Sequence, residues 1–231
     1  QWEITTEGGQ YPSGKWEAKA GYTREWFNNS RDEWNVYSLS VKRKFERASV
    51  RIEGIRAQRF NRWDESLVLD AYHRLWDRAY ANFRYGHAPT PDLFPANDYL
   101  LEIFQGIGNG WEASLFGRRM QFSSSDVDLW GGSLGKYYGD WYLRARSQFR
   151  FDYPNSAGTS TSYQLLARHY FETADDYVEL RYGFGQKPLK NRLTPSLTDT
   201  ERKHSLGFKY RTFPWRHLGY DVGGSIGDND G

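Results

Sequence analysis

The sequence predicts an all-β fold: a transmembrane up-and-down antiparallel β-barrel of about 14 strands (roughly 12–14). Three observations carry this expectation. Apolar and polar residues alternate with period two almost from end to end. The alternating segments are about as long as a bilayer crossing requires, roughly 9–11 residues when tilted. The connections between them alternate between tight and long.

Composition narrows the class. Only 38% of the 231 residues are hydrophobic, yet 18% are aromatic, with 10 Trp, 17 Tyr and 14 Phe. Mean hydropathy is −0.84. Disordered chains are poor in aromatics, so disorder does not fit. No run approaches the roughly 20 apolar residues of a membrane helix. Few aliphatics and many aromatics suit a wall with lipid on one side and water on the other. Cysteine is absent, so there is neither a disulfide framework nor a thiolate metal site. A net charge of +2 gives no reason to expect nucleic acid as a partner. The chain starts at Gln1 without an export signal, as a mature or trimmed chain would.

Thirteen strands are read in order. They are Lys15–Trp26, Asn35–Phe45, Ala48–Phe60, Glu65–Leu75, Ala79–Gly86, Asp98–Gln105 and Trp111–Phe122, then Val127–Tyr138, Trp141–Tyr153, Thr161–Phe171, Tyr177–Gly183, Arg202–Phe213 and His217–Ile226. Each has an apolar and a charged side, because successive side chains point to opposite faces. In the fourth, Leu67, Leu69 and Ala71 oppose Ser66, Asp70 and Arg74. In the ninth, Trp141, Leu143, Ala145 and Phe149 oppose Tyr142, Arg144, Arg146, Gln148 and Arg150. In the twelfth, Leu206, Phe208 and Tyr210 oppose Ser205, Lys209 and Arg211.

A soluble sandwich would alternate too, but its strands average only about 5–6 residues. Aromatics also gather near strand ends, at Trp26, Trp63, Trp76, Trp111, Trp141 and Trp215, where interfacial girdles belong. Tight connections such as Glu46-Arg47 and Gly139-Asp140 follow even-numbered strands. Longer ones, Phe27 to Trp34, His87 to Asn97, Pro154 to Ser160 and Phe184 to Glu201, follow odd-numbered strands. Short periplasmic turns and longer outer loops give that pattern, so the first strand rises from a periplasmic N-terminus. The thirteenth then also rises, leaving Gly227 to Gly231 in an outer loop and a fourteenth strand missing. Two alternatives stay open: Trp2 to Thr6 closes the seam as a short extra strand, or one strand is split too many and 12 remain. Residues 1–14 are thus a periplasmic extension or short extra strand, and residues 15–231 the barrel.

Leu93-Phe94-Pro95, Gly110-Trp111-Glu112-Ala113-Ser114-Leu115 and Gly132-Ser133-Leu134-Gly135-Lys136-Tyr137, with Ala167-Arg168-His169-Tyr170-Phe171 in support, resemble the YaiO-type outer-membrane β-barrel family. The likeness runs from about Trp16 to Val222 and is strongest between Leu93 and Trp141. It implies a compact barrel in the outer membrane of a Gram-negative bacterium. Some relatives accompany envelope polysaccharide machinery or carry helical repeats before the barrel. Members typically end on a strand with a C-terminal aromatic, which this chain lacks. The resemblance transfers no catalytic residues.

The inner face is rich in charge. Parity assigns Glu17, Lys19, Lys42, Arg51, Glu53, Asp70, Arg74, Arg84, Glu102, Glu112, Arg118, Arg144, Arg146, Arg168, Glu179, Arg181, Lys209 and Arg211 to the lumen. One reading is a salt-bridge lattice, since buried charges must be paired or hydrated. The other is a basic wall of Arg144, Arg146, Arg150, Arg168, Arg181, Lys209 and Arg211, facing Glu102 and Glu112, that selects anions. Inner aromatics such as Tyr72 and Tyr142 pack, or stack on sugar rings. The five histidines lack zinc-ligand spacing, and His169 and His204 share the lipid-facing parity. No nucleophile elbow or paired-carboxylate signature appears, so neither enzyme activity nor a cofactor is expected. The proline-bearing loops, at Pro89, Pro91 and Pro95 and at Pro188 and Pro195, could cover the mouth as a lid.

The sequence thus predicts a passive channel or export barrel for a polar, anionic or polysaccharide solute. The alternative is an accessory barrel with an occluded lumen, docked to an envelope machine. Expected partners are outer-membrane lipid, envelope polysaccharide and secretion-machinery proteins.

Overall fold

The computed structural model describes residues 2–10, 16–26, 33–59, 61–153, 160–171, 173, 175–185, 203–215 and 218–229. Pro188, Pro195 and the side chain of Trp215 lie outside the described parts. Fourteen strands are present: β1 (Trp2–Gln10), β2 (Trp16–Trp26), β3 (Trp34–Lys44), β4 (Ala48–Arg59), β5 (Arg62–Arg74), β6 (Ala79–His87) and β7 (Asn97–Gly108), followed by β8 (Trp111–Phe122), β9 (Ser125–Tyr138), β10 (Trp141–Tyr153), β11 (Ser160–Tyr170), β12 (Tyr177–Gly185), β13 (Lys203–Trp215) and β14 (Leu218–Asn229). Strands β2 to β14 form a continuous antiparallel meander, and β1 closes it into a barrel.

The seam differs from the expectation of a missing fourteenth strand. Trp2 to Gln10 pairs with β14 on one side and with β2 on the other. This is the extra-strand alternative, longer than Trp2 to Thr6. Thr5-Thr6 and Gly8-Gly9 break the apolar–polar alternation, so periodicity could not mark this strand. What holds it is pairing to the two open backbone edges, whose N–H and C=O groups would otherwise face hydrocarbon unpaired. β1 runs antiparallel to β2, the strand expected first. Trp2 sits beside Trp26, at the end with the long connections, and not at the short-turn end.

The alternation does place the two faces. Leu39, Leu67, Leu115, Leu143, Leu165, Leu180 and Phe208 all point outward, Leu115 with 76% of its surface exposed. A belt of that size exposed to water would aggregate, whereas lipid satisfies it. Trp16, Trp76, Trp111 and Trp141 stand exposed near the short-turn rim, and Trp63 near the other. Cations lie over three of these rings: Arg43 over Trp16 at 5.0 Å, Lys136 over Trp111 at 4.9 Å and Arg56 over Trp63 at 4.4 Å. Such pairs suit the headgroup level, where an aromatic body and a charged tip are both satisfied.

The tight turns have local causes. Asn109 and Gly110 both take positive φ, 48° and 76°, the pairing a two-residue hairpin turn requires. A side chain at Gly110 would place its Cβ 2.5 Å from the Tyr137 carbonyl oxygen, so glycine is the residue that fits.

Candidate functional site

All nine predicted site residues stand on the inner face. Arg144, Arg146 and Arg150 lie on β10, Arg168 on β11, Arg181 on β12, and Lys209 and Arg211 on β13. Glu102 lies on β7 and Glu112 on β8. Period two and the sheet register put them there.

Most of their charge is spent locally. Arg146 donates to both oxygens of Glu102, at 3.0 and 3.1 Å, reaching across two intervening strands, and its guanidinium lies 3.9 Å from the Phe116 ring centre. The Ser114 hydroxyl donates to the same carboxylate at 2.7 Å. Arg150 is bound by Asp152 at 2.7 Å. Glu179, fully buried at 0% exposure, takes Arg168 on one oxygen and Arg181 on the other. Asp221 on β14 gathers Lys19 at 2.8 Å, Lys209 at 3.0 Å and Arg211 at 3.5 Å. Arg211 also approaches Glu17 at 3.7 Å.

This arrangement interleaves the basic residues with acids, as the salt-bridge-lattice reading expects. Glu102 is bound directly to Arg146, and Glu112 faces no cation in an ion pair among the described residues. It accepts instead from the hydroxyls of Tyr80 at 3.3 Å and Tyr142 at 3.2 Å. The neutralising acids Asp152 and Asp221, and Asp98 on Arg118 at 2.6 Å, were absent from the predicted set. Inward parity on their strands was the signal that could have found them: Asp152 lies two residues beyond Arg150, and Asp221 lies opposite Arg211.

Four inward cations stay outside the lattice. Lys42, Arg51, Arg84 and Arg144 make no ion pair within 4.0 Å among the described residues. The Nε atoms of Arg84 and Arg144 are buried without a hydrogen-bond partner. Arg51, from β4, and Arg144, from β10, both lie within electrostatic reach of Tyr72.

Two further features were not legible as a site. Toward the long-connection end, Phe116, Met120, Val127 and Leu129 form an inward apolar cluster. Above it, the connection between β6 and β7 is fastened by Asp64, only 1% exposed, which accepts the backbone N–H groups of Asp92, Leu93 and Phe94 at 3.1, 2.6 and 2.7 Å. This loop carries Pro89, Pro91 and Pro95.

Toward the short-turn end the wall is aromatic. Tyr80 stacks on Phe104 with centroids 4.4 Å apart, Tyr72 lies 6.4 Å from Tyr80, and Tyr137 lies 4.4 Å from Tyr142. Tyr142 reaches Glu112 only because Gly135 lies between. A Cβ there would stand 2.7 Å from the Tyr142 hydroxyl and 2.8 Å from its ring. Gly135→Ala should therefore displace Tyr142 and cost about 1–3 kcal/mol, read from urea unfolding by gel mobility. Combining it with Tyr142→Ala should cost less than the sum of the single changes, because both remove one contact. Full additivity would refute the packing argument.

A closed meander with a lipid-facing belt and a charged interior defines an outer-membrane β-barrel of porin-like architecture. The chain belongs to the YaiO membrane beta barrel domain family, whose profile matches residues 15–190. Solved structures share the fold at low identity. A bacterial polysaccharide outer membrane secretin aligns with a TM-score of 0.56 at 8% identity, covering 97% of each chain. OccD3 (OpdP) of Pseudomonas aeruginosa aligns at 0.50 and 11% identity, covering 99% of this chain and 91% of its own. The NanC porin aligns at 0.50 and 10% identity, covering 97% and 98%. No curated protein matches the sequence.

Proposed function

We propose that this barrel is a passive conduit for polar solutes across the outer membrane, with a preference for anions. The observation that carries this reading is the set Lys42, Arg51, Arg84 and Arg144, left without ion-pair partners among the described residues while the neighbouring cations are neutralised. Local pairing removes most of the lumen's field; the inward acids Glu53, Asp70 and Glu112 also make no ion pair among the described residues, so these four cations leave a small positive excess. Unpaired guanidinium groups lining a narrow path favour anions. The polysaccharide secretin among the structural neighbours supports a polysaccharide as the solute and envelope secretion machinery as the partner. In this reading the short-turn rim faces the periplasm, and no catalytic chemistry is involved.

The test is conductance in a planar bilayer. Arg144→Glu alone should shift the reversal potential in a salt gradient toward cations, because it inverts a charge without opening a salt bridge. Adding Arg146→Glu should complete the reversal. An unchanged reversal potential in the double variant would sink the anion preference.

A second reading is an accessory barrel with an occluded lumen that docks an envelope machine. The loop held by Asp64 and the apolar cluster around Phe116 favour it, since both lie toward the same end of the barrel. A folded barrel that carries no current would favour this second reading.

A further inference from the structure

The short-turn half of the lumen holds a combination that the lattice does not use. Tyr72 and Tyr137 are inward-facing yet 41% and 44% exposed, so ring surface is open to the lumen. Neither hydroxyl makes a hydrogen bond among the described residues. Behind them the wall is packed: Tyr80 stacks on Phe104, and Tyr142 fills the space at Gly135. Glu112 is fixed by the two tyrosine hydroxyls that donate to it. Arg144 follows Tyr142 by two residues on the inner face of β10, opposite Gly135, which in turn lies opposite Glu112, and its Nε is buried and unpartnered. A recess of about 580 Å³ opens beside this group at the rim, with Arg74, Tyr80, Glu112 and Tyr137 in its wall.

Each part suits one portion of the same kind of ligand. Open aromatic faces take the C–H face of a sugar ring. A guanidinium without a carboxylate of its own takes an acid group in a charge-assisted contact. A carboxylate already held by two donors keeps lone pairs for ring hydroxyls. A simple inorganic anion would need the arginine but not the tyrosines. A neutral sugar would need the tyrosines but leave the arginine unpaired.

We infer that Tyr72, Tyr137 and Arg144, backed by Tyr80, Tyr142 and Glu112, form a binding seat for an acidic saccharide at the short-turn mouth of the barrel. This rests on the conduit reading for its purpose, but the seat itself is an equilibrium binding property. It would hold an acid-bearing sugar as it enters or leaves the lumen.

The experiment is isothermal titration of the detergent-solubilised full chain with trigalacturonate, maltotriose and sodium acetate. Trigalacturonate should bind at least tenfold more tightly than the other two. Tyr137→Ala and Tyr72→Ala should each weaken it about tenfold, while Tyr137→Phe, which keeps the ring face, should stay within twofold of the parent. Arg144→Gln should bring trigalacturonate and maltotriose to similar affinity. No binding of trigalacturonate, affinity equal to that of acetate, or Tyr137→Ala binding like the parent would each overturn the seat. Conductance separates this from the conduit itself. A barrel that conducts without binding loses the seat alone, and one that binds without conducting keeps the seat and loses the conduit.

Discussion

Glu179→Ala should be the most damaging single change in the lumen, lowering stability by about 3–5 kcal/mol. Glu179 is fully buried and holds Arg168 and Arg181 on its two oxygens. In the sheet it sits directly between Arg168 on β11 and Lys209 on β13. Its removal leaves three cations on adjacent strands with one negative charge fewer. A buried pair adds little net stability when intact, but half a pair is costly because the remaining charge is neither solvated nor matched. The measurement is urea unfolding followed by the mobility difference of folded and unfolded barrel. Glu179→Gln should recover only part of the loss, since an amide keeps hydrogen bonds but not charge. Where Glu179→Ala still folds, its current should be more anion-selective than the parent's. A variant as stable as the parent would mean that water, not Glu179, balances these guanidinium groups.

The same residues show how far the sequence could be read. Arg168, Glu179 and Arg181 were placed in the lumen by parity alone, because a strand has only two faces and hydrocarbon rejects charge from one of them. Parity says nothing about how far around the wall a side chain can reach. Arg146 belongs to β10 and Glu102 to β7, and only closure and strand tilt bring them to 3.0 Å. For that reason the lumen set was legible while its pairing was not. Asp221 was lost for a related reason: the last strand is glycine-rich around it, with Gly219, Gly223 and Gly224, so its alternation is weak. The seam failed similarly at Thr5-Thr6 and Gly8-Gly9. Pattern recognises a strand through side chains, but an edge strand is recruited through its backbone.

Asp64→Ala should release the connection between β6 and β7 and change what passes the barrel's long-connection end. Asp64 is on the inner face of β5, yet it accepts the N–H groups of Asp92, Leu93 and Phe94. For those three donors to reach an inward carboxylate, the loop must lean over the lumen side of β5. Further ties are weaker and more exposed. Ser123 donates to the Pro91 carbonyl at 3.0 Å, and Arg62 lies 3.5 Å from Asp92. Successive backbone N–H groups converging on one anion form a nest, and hydrogen bonds to a charged group contribute about 1.5–3 kcal/mol each before non-additivity. Without the carboxylate, three N–H groups lose their shared acceptor and the loop gains entropy by leaving. Limited proteolysis should then cut between residues 88 and 96 at a rate at least tenfold above the parent, with the strands intact. Single-channel conductance should rise in the same variant if this loop is what narrows the mouth. Asp64→Asn, whose amide oxygen can still accept but carries no charge, should fall between the two. Faster cleavage with unchanged conductance would leave the loop fastened by Asp64 but clear of the conducting path. Unchanged cleavage would refute the fastening itself.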